Sequence, residues 1–322
     1  MKYKTYLVHL SILCSCFVFS FFSSAFGQKP ENESTLTSSD SLTNNQLASG
    51  LLSAFFGLDN ALPFRANLLC LGASGLDGMP VVLSRTIEPD SLQPEDFQIV
   101  TKSGVIHSPH CVTLRPAQDP GELRTVLLIG EFGNVDDDPP ALVRVVGDIF
   151  SDENSSGKRS RVNFRGAKVE VTPLHEGPSL VFAEIVPLSE VAKDTRGSAC
   201  PDEATQIVRV VWNGGVRLLN REELGDFERM LYEVTVRTKD SSERRINPPA
   251  LGDLGDGDNN HLLCLNTEDV AVSVRFPAGY LADPNLDLNP DTFVKINSAN
   301  AKSGNESDER FNFQPNEKHL EL

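Results

Sequence analysis

Oxygen ligands for a hard cation gather in two places in the chain. Asp253, Asp256, Asp258, Asn259 and Asn260 lie in the run DLGDGDNNHLLCLNTED, while Asp283, Asn285, Asp287, Asn289 and Asp291 occupy alternate positions further on. Calcium takes about six to eight oxygen ligands. The expected calcium ligands are therefore Asp253, Asp256, Asp258 and Asn259 in the first run, and Asp283, Asn285, Asp287 and Asp291 in the second. The second spacing begins as an EF-hand does, but Leu288 stands where a glycine is needed and Val294 where a bidentate glutamate belongs. Aspartate, asparagine, glycine and proline are also the residues of turns. Turn chemistry is accordingly the leading reading of both runs, with calcium second.

Other constellations carry less. His107, His110 and Cys111 offer soft ligands within five residues, as zinc prefers. On an extended chain, residues three apart face opposite sides, so surface histidines are expected instead. His175 and His261 are isolated and read as hydrogen-bonding structural residues. Neither a Gly-x-Ser-x-Gly elbow, a His-Glu-x-x-His pair nor a glycine-rich phosphate loop is found. Glycosidases need only two carboxylates at the right separation, so catalysis stays open with no catalytic residue assigned. Asp136, Asp137 and Asp138 form one acidic patch, expected to be a solvated loop.

The elements that must hold these residues read as strands. Between about 64 and 296 the chain is a series of short runs rich in β-branched residues, such as CVTLRP, LRTVLLIG, QIVRVVW and VAVSVRFP, separated by breakers such as DPGE and DDDPP. Trp212-Asn213-Gly214-Gly215 has the Asn-Gly pair of a tight hairpin. Residues 220–231 offer the one plausible helix, with a loop as a nearly equal alternative. LASGLLSAFFGL, residues 47–58, fits a strand or two helical turns equally. Leu68-Leu69-Cys70-Leu71 and Leu262-Leu263-Cys264-Leu265 are each followed by a valine-rich strand and a Pro-x-x-Phe turn, which suggests a duplication with the same buried strand in both copies.

The first 25 residues combine two lysines, an apolar stretch from Leu7 to Phe22 and small residues at Ser23 and Ala25, the layout of a signal peptide. Ser24-Ala25-Phe26 also resembles the junction of diatom-type leaders that route proteins to the plastid. Removing the leader leaves Cys70, Cys111, Cys200 and Cys264, for which one bridge per domain, Cys70 with Cys111 and Cys200 with Cys264, is expected in an oxidising compartment. Asn32, Asn154 and Asn305 head glycosylation sequons. The formal net charge of −16 becomes −18 once the two leader lysines are gone. Such a surface repels phosphate backbones and anionic lipid, which excludes nucleic acid as a partner. No membrane span is expected after the leader.

VVLSRTIEPDSLQPEDFQIVTKSG, residues 81–104, resembles the bacterial immunoglobulin-like domains of surface-layer and adhesin proteins, with a Pro-x-Ser-Leu turn leading into a strand that begins with phenylalanine. FPAGYLADPNLDLNPDT is similar to that family's closing turn but lacks its glycine. The resemblance implies an all-β chain of two immunoglobulin-like β-sandwich domains, acting as spacer or binding modules. The expected organisation is a leader (1–25), a disordered linker or transit segment (26–63), sandwiches over 64–200 and 201–296, and a disordered tail (297–322). The expected function is extracytoplasmic, non-catalytic binding or adhesion, stabilised by calcium, with a small molecule, glycan or protein as ligand. The alternative is an accessory or catalytic protein of a secretory or plastid biosynthetic pathway.

Overall fold

The computed structural model describes residues 50–152, 161–188 and 199–297. The leader, the three sequons and most of the two terminal segments lie outside the described residues. What is described is all-β, with several sheets, a few single-turn 3-10 segments and one four-residue helix, α1 (Asp226–Arg229).

The N-terminal half is one eight-stranded sheet. Its order runs β4 (Ile106–His107), β3 (Phe97–Thr101), β7 (Pro140–Val145), β8 (Lys168–Thr172), β1 (Leu51–Phe55), β2 (Asp77–Leu83), β6 (Thr125–Gly130) and β5 (Cys111–Thr113). Pairing is antiparallel except between β1 and β8. Met79, Val81 and Leu128 from one end of the sheet share a core with Phe97, Ile99 and Val143 from the other, so the sheet folds over on itself. The C-terminal half packs two four-stranded antiparallel sheets. One holds β13 (Ala250–Gly252), β14 (Asn260–Leu265), β10 (Gln206–Trp212) and β9 (Leu180–Val186). The other holds β12 (Glu243–Ile246), β11 (Glu233–Arg237), β15 (Val270–Phe276) and β16 (Thr292–Lys295).

The period-two alternation of strands explains how the halves meet. In β10, Val208, Val210 and Trp212 enter the core of the C-terminal half, and Ile207, Arg209 and Val211 project from the opposite face. There Val211 and Phe182 pack on Val82 of β2, with Leu52 and Val181 beside them. A strand buried on both faces reads as a continuous apolar run, as QIVRVVW does, and Arg209 is its one charged interruption.

Several expectations need correction. Leu51–Phe55 is a central strand of the N-terminal sheet and not part of a linker, because Leu51, Ala54 and Phe55 are buried between two partner strands. The sheets divide between Thr172 and Leu180, since β9 pairs along its length with β10; a boundary at residue 200 would cut that pair apart. Asn213-Gly214 is not a tight hairpin. Trp212 ends a strand flanked by β9 and β14, and Asn213 exchanges hydrogen bonds with Ser179 instead. Of residues 220–231 only α1 is helical and the rest is loop; Leu224 and Leu231 reach the core from either side of α1, while Phe227 and Met230 stay exposed. Leu262–Leu265 is a buried strand as expected, but Leu68 and Leu71 are exposed at the end of a 3-10 turn. The two LLCL runs are therefore not the same strand in two copies. Both disulfides form as expected, Cys70–Cys111 and Cys200–Cys264.

The core of the C-terminal half contains a polar relay. Trp212 Nε1 donates to the Tyr232 hydroxyl at 3.1 Å, and that hydroxyl meets His261 Nδ1 at 2.8 Å. With its oxygen accepting from the indole, the Tyr232 hydroxyl can give its own proton to the imidazole in the tautomer that leaves Nδ1 as the acceptor. Burial first, and then the Arg217 charge, lowers the His261 pKa to about 3, keeping the ring neutral. Tyr232→Phe should leave an indole N–H and an imidazole nitrogen unpaired in a dry core, at about 1–3 kcal/mol for each orphaned group. Urea unfolding of the variant should show the midpoint fall without a change in slope.

Candidate metal centre at the junction of the halves

The loop between β5 and β6 carries Asp119 and Glu122, and the loop between β13 and β14 carries Asp253 and Asp256. One oxygen from each of the four lies within 4.8 Å of the others. Among the described residues this is the one group of acidic, histidine or cysteine side chains with that convergence. The second loop is curled by three left-handed positions, Asp253 (φ 63°), Gly255 (φ 97°) and Gly257 (φ 87°). The coil brings residues three apart, 253 and 256, to one point.

The first loop is held in place from across the junction. Arg209 Nη1 on β10 donates to the Gly121 carbonyl at 2.9 Å. Gly121 must be glycine, since its φ is +88° and an added Cβ would lie 2.8 Å from that same guanidinium nitrogen. Arg124, three residues further on at the entry to β6 and only 3 % exposed, bonds Glu184 of β9 at 2.8 Å and stacks on the Phe182 ring. The first loop is thus tied to strands β9 and β10 of the other half by buried guanidinium groups.

Several oxygens in this space lack donors. Glu122 and Asp253 are each 1 % exposed, yet Glu122 Oε2 and both carboxylate oxygens of Asp253 find no hydrogen-bond donor. Asp258 is close by, with one oxygen accepting from the Asn260 amide at 2.7 Å and the other without a donor. Buried polar atoms are ordinarily satisfied, so a group of acceptors left bare calls for a missing positive partner. The charges are felt in the titration. Burial first, then the neighbouring Asp253 and Asp258 carboxylates, raise the Glu122 pKa far above the carboxylate range, against the Arg209 charge. Burial first, with Asp256 and Asp253 adding to it, raises Asp258 to about 7. A set made only of buried oxygens can hold a metal ion, and it suits a hard cation better than zinc or copper.

Of the residues singled out in the first acidic run, Asp253 and Asp256 enter the cluster and Asp258 adjoins it. Asn259 does not point its amide there as a ligand; it donates to Trp212 O at 2.6 Å and to Thr125 Oγ1 at 3.1 Å. The second run is not drawn together in this way. Asp283 accepts from the Asp287 amide at 2.9 Å, Asn285 bonds Asp287, and Asp291 forks onto Arg275. Asn289 closes the turn by accepting from the Tyr280 and Leu281 amides. His110 meets the Leu71 carbonyl at 2.9 Å, and Asp138 accepts from Thr101 and Ser103. Asp119 and Glu122 were missed in the sequence, where DPGE reads only as a turn; nothing local signals that it faces residue 253. No family model and no curated protein matches the chain. No helix among the described residues is long and apolar enough to cross a membrane.

The titration has a measurable consequence. Glu122 and Asp258 bind protons more tightly in the folded, cation-free protein than in the unfolded chain, so their contribution to stability falls as pH rises toward their raised values. Near pH 6.5 Asp77 and Asp283, raised to about 6 mainly by burial, add to this fall, His261, at 6.5 in the unfolded state, offsets part of it, and all three have finished titrating further up. In chelator, the melting temperature should therefore drop between about pH 6.5 and 8.5. Glu122→Gln should flatten that drop, and a melting temperature rising with pH across this window would contradict the assignment.

Proposed function

We propose that the chain is an extracytoplasmic, non-catalytic binding or adhesion protein in which calcium locks the junction between the two β halves. The observation that carries this reading is the set of buried carboxylate oxygens without donors, Glu122 Oε2 and both oxygens of Asp253, supplied by loops from different halves. Oxygen-only ligands in number favour calcium. Magnesium keeps several waters and uses one or two carboxylates, and zinc prefers nitrogen and sulfur. The two disulfides fit an oxidising compartment, where calcium is also abundant. A general acid has to touch its substrate, and at 1 % exposure neither Glu122 nor Asp253 reaches one. A dehydrated ion can. Its role is then structural: the charge of the ion replaces protons, and two loops that repel each other become two sides of one coordination shell.

Melting curves with calcium and with chelator test the proposal. Calcium at roughly a hundred times its dissociation constant should add about 2.7 kcal/mol of stability. Asp253→Asn and Glu122→Gln should abolish most of that gain. In chelator the same substitutions should leave the protein as stable as the parent or more so, because Asp253→Asn removes a repelling charge and Glu122→Gln removes the need to bind a proton on folding. Variants that lose stability equally in calcium and in chelator would mark the carboxylates as ordinary packing groups and end the calcium reading.

A further inference from the structure

A cavity of about 210 Å³ lies between the halves, beside the acidic cluster. Phe55, Leu58, Leu62, Pro80, Leu114 and Leu127 supply apolar walls from the N-terminal half. Gly214, Gly215 and Gly257 close it from the other half, and Asp258 marks the side nearest the cluster. Arg115 is the cationic member of the lining.

Two of its glycines have no structural reason to be glycine. Gly57 and Gly215 are not in the left-handed region, and a Cβ on either would meet its neighbours only at ordinary contact distance. At Gly57 the nearest atoms would be 3.5 Å away, on the Phe55 ring; at Gly215 the nearest would be the Asp258 carbonyl at 3.8 Å. Gly214 differs, since its Cβ would strike Phe55 at 2.9 Å. Glycine in a strand end or crossover costs conformational entropy relative to alanine. An ordinary core would close this space with side chains, because an unfilled apolar cavity destabilises by lost contacts. At Gly57 and Gly215 the one evident effect of having no side chain is that the space stays open.

We propose that this cavity is a binding site for a small molecule bearing one compact apolar ring. Size limits the occupant: an apolar cavity of about 150 Å³ admits a benzene ring, so this one takes a ring with a few further atoms. The walls select against sugars, whose hydroxyls would be stripped of water with few partners in return. An anionic or hydroxyl substituent on the ring has Arg115 within the lining to meet it. The site goes beyond calcium binding and stands on its own geometry.

Ligand-observed NMR titrations with indole, p-cresol and cyclohexanol test it, each run with calcium and again with chelator. Saturable binding of any of the three in either condition, weakened about tenfold or more by Gly215→Leu, is the expected result. Gly57→Ala, a smaller filling of the same space, should weaken binding in the same direction and guards against misfolding of the leucine variant. No saturable binding in either condition, or binding that both folded variants retain at parental strength, overturns the proposal. Loss of calcium response with ligand binding intact would sink only the cation reading.

Discussion

Repulsion among carboxylates enclosed between two loops is the constraint on which the junction depends. Four acidic groups with oxygens within 4.8 Å of one another form six pairs. At an effective dielectric constant near 20, each pair of full charges at that distance repels by roughly 3–4 kcal/mol. Six such terms exceed the about 5–15 kcal/mol by which a folded domain is stable. The cluster therefore cannot persist fully ionised and bare. Protons, the nearby guanidinium groups or a bound cation must offset it, and the raised titration of Glu122 is the proton solution. Arg209 helps but is shared, since it also holds the Gly121 carbonyl and lies 3.5 Å from Glu184.

That arrangement also explains why the junction is polar at one end and apolar at the other. Val82, Phe182 and Val211 make a dry contact in which desolvation stabilises without direction. Such a contact permits the two faces to slide. The Arg124–Glu184 pair and the Arg209–Gly121 bond restrict that freedom, because guanidinium hydrogen bonds are directional and costly to leave unmade in a buried place. Those few bonds place the first loop on β9 and β10, and the second loop is carried to the same place by β14, which pairs with β10.

The fold was legible where local chemistry determines it. β-branched runs became strands, the Pro-x-x-Phe turns led into strands at Phe97 and Thr292, and the four cysteines paired as their distribution suggested. It was illegible where tertiary contacts decide. LLCL is buried in one place and largely exposed in another, because burial depends on which neighbours cover it. Asn213-Gly214 has hairpin chemistry but sits where Phe55 approaches too closely for any side chain, so glycine serves proximity and not turn geometry. The β1 strand resembled linker margin because its partners, β2 and β8, lie far along the chain in one case and only there supply its hydrogen bonds.

The candidate site was half legible for the same reason. Asp253 and Asp256 stood out by spacing, and the left-handed backbone that makes the spacing effective is carried by Asp253 itself and by Gly255 between them, with Gly257 just beyond. Asp119 and Glu122 had no such mark, since a turn reading accounts for them fully until the other loop is placed opposite. Gly257 and Asp258 belong to both the loop that carries the acidic cluster and the wall of the apolar cavity, while Pro116 and Ala117 link the cavity to the loop of Asp119. Whatever fixes the spacing of the two loops also fixes the width of the cavity between them. Charge at one end and open apolar space at the other are thus two consequences of how closely the same two segments approach.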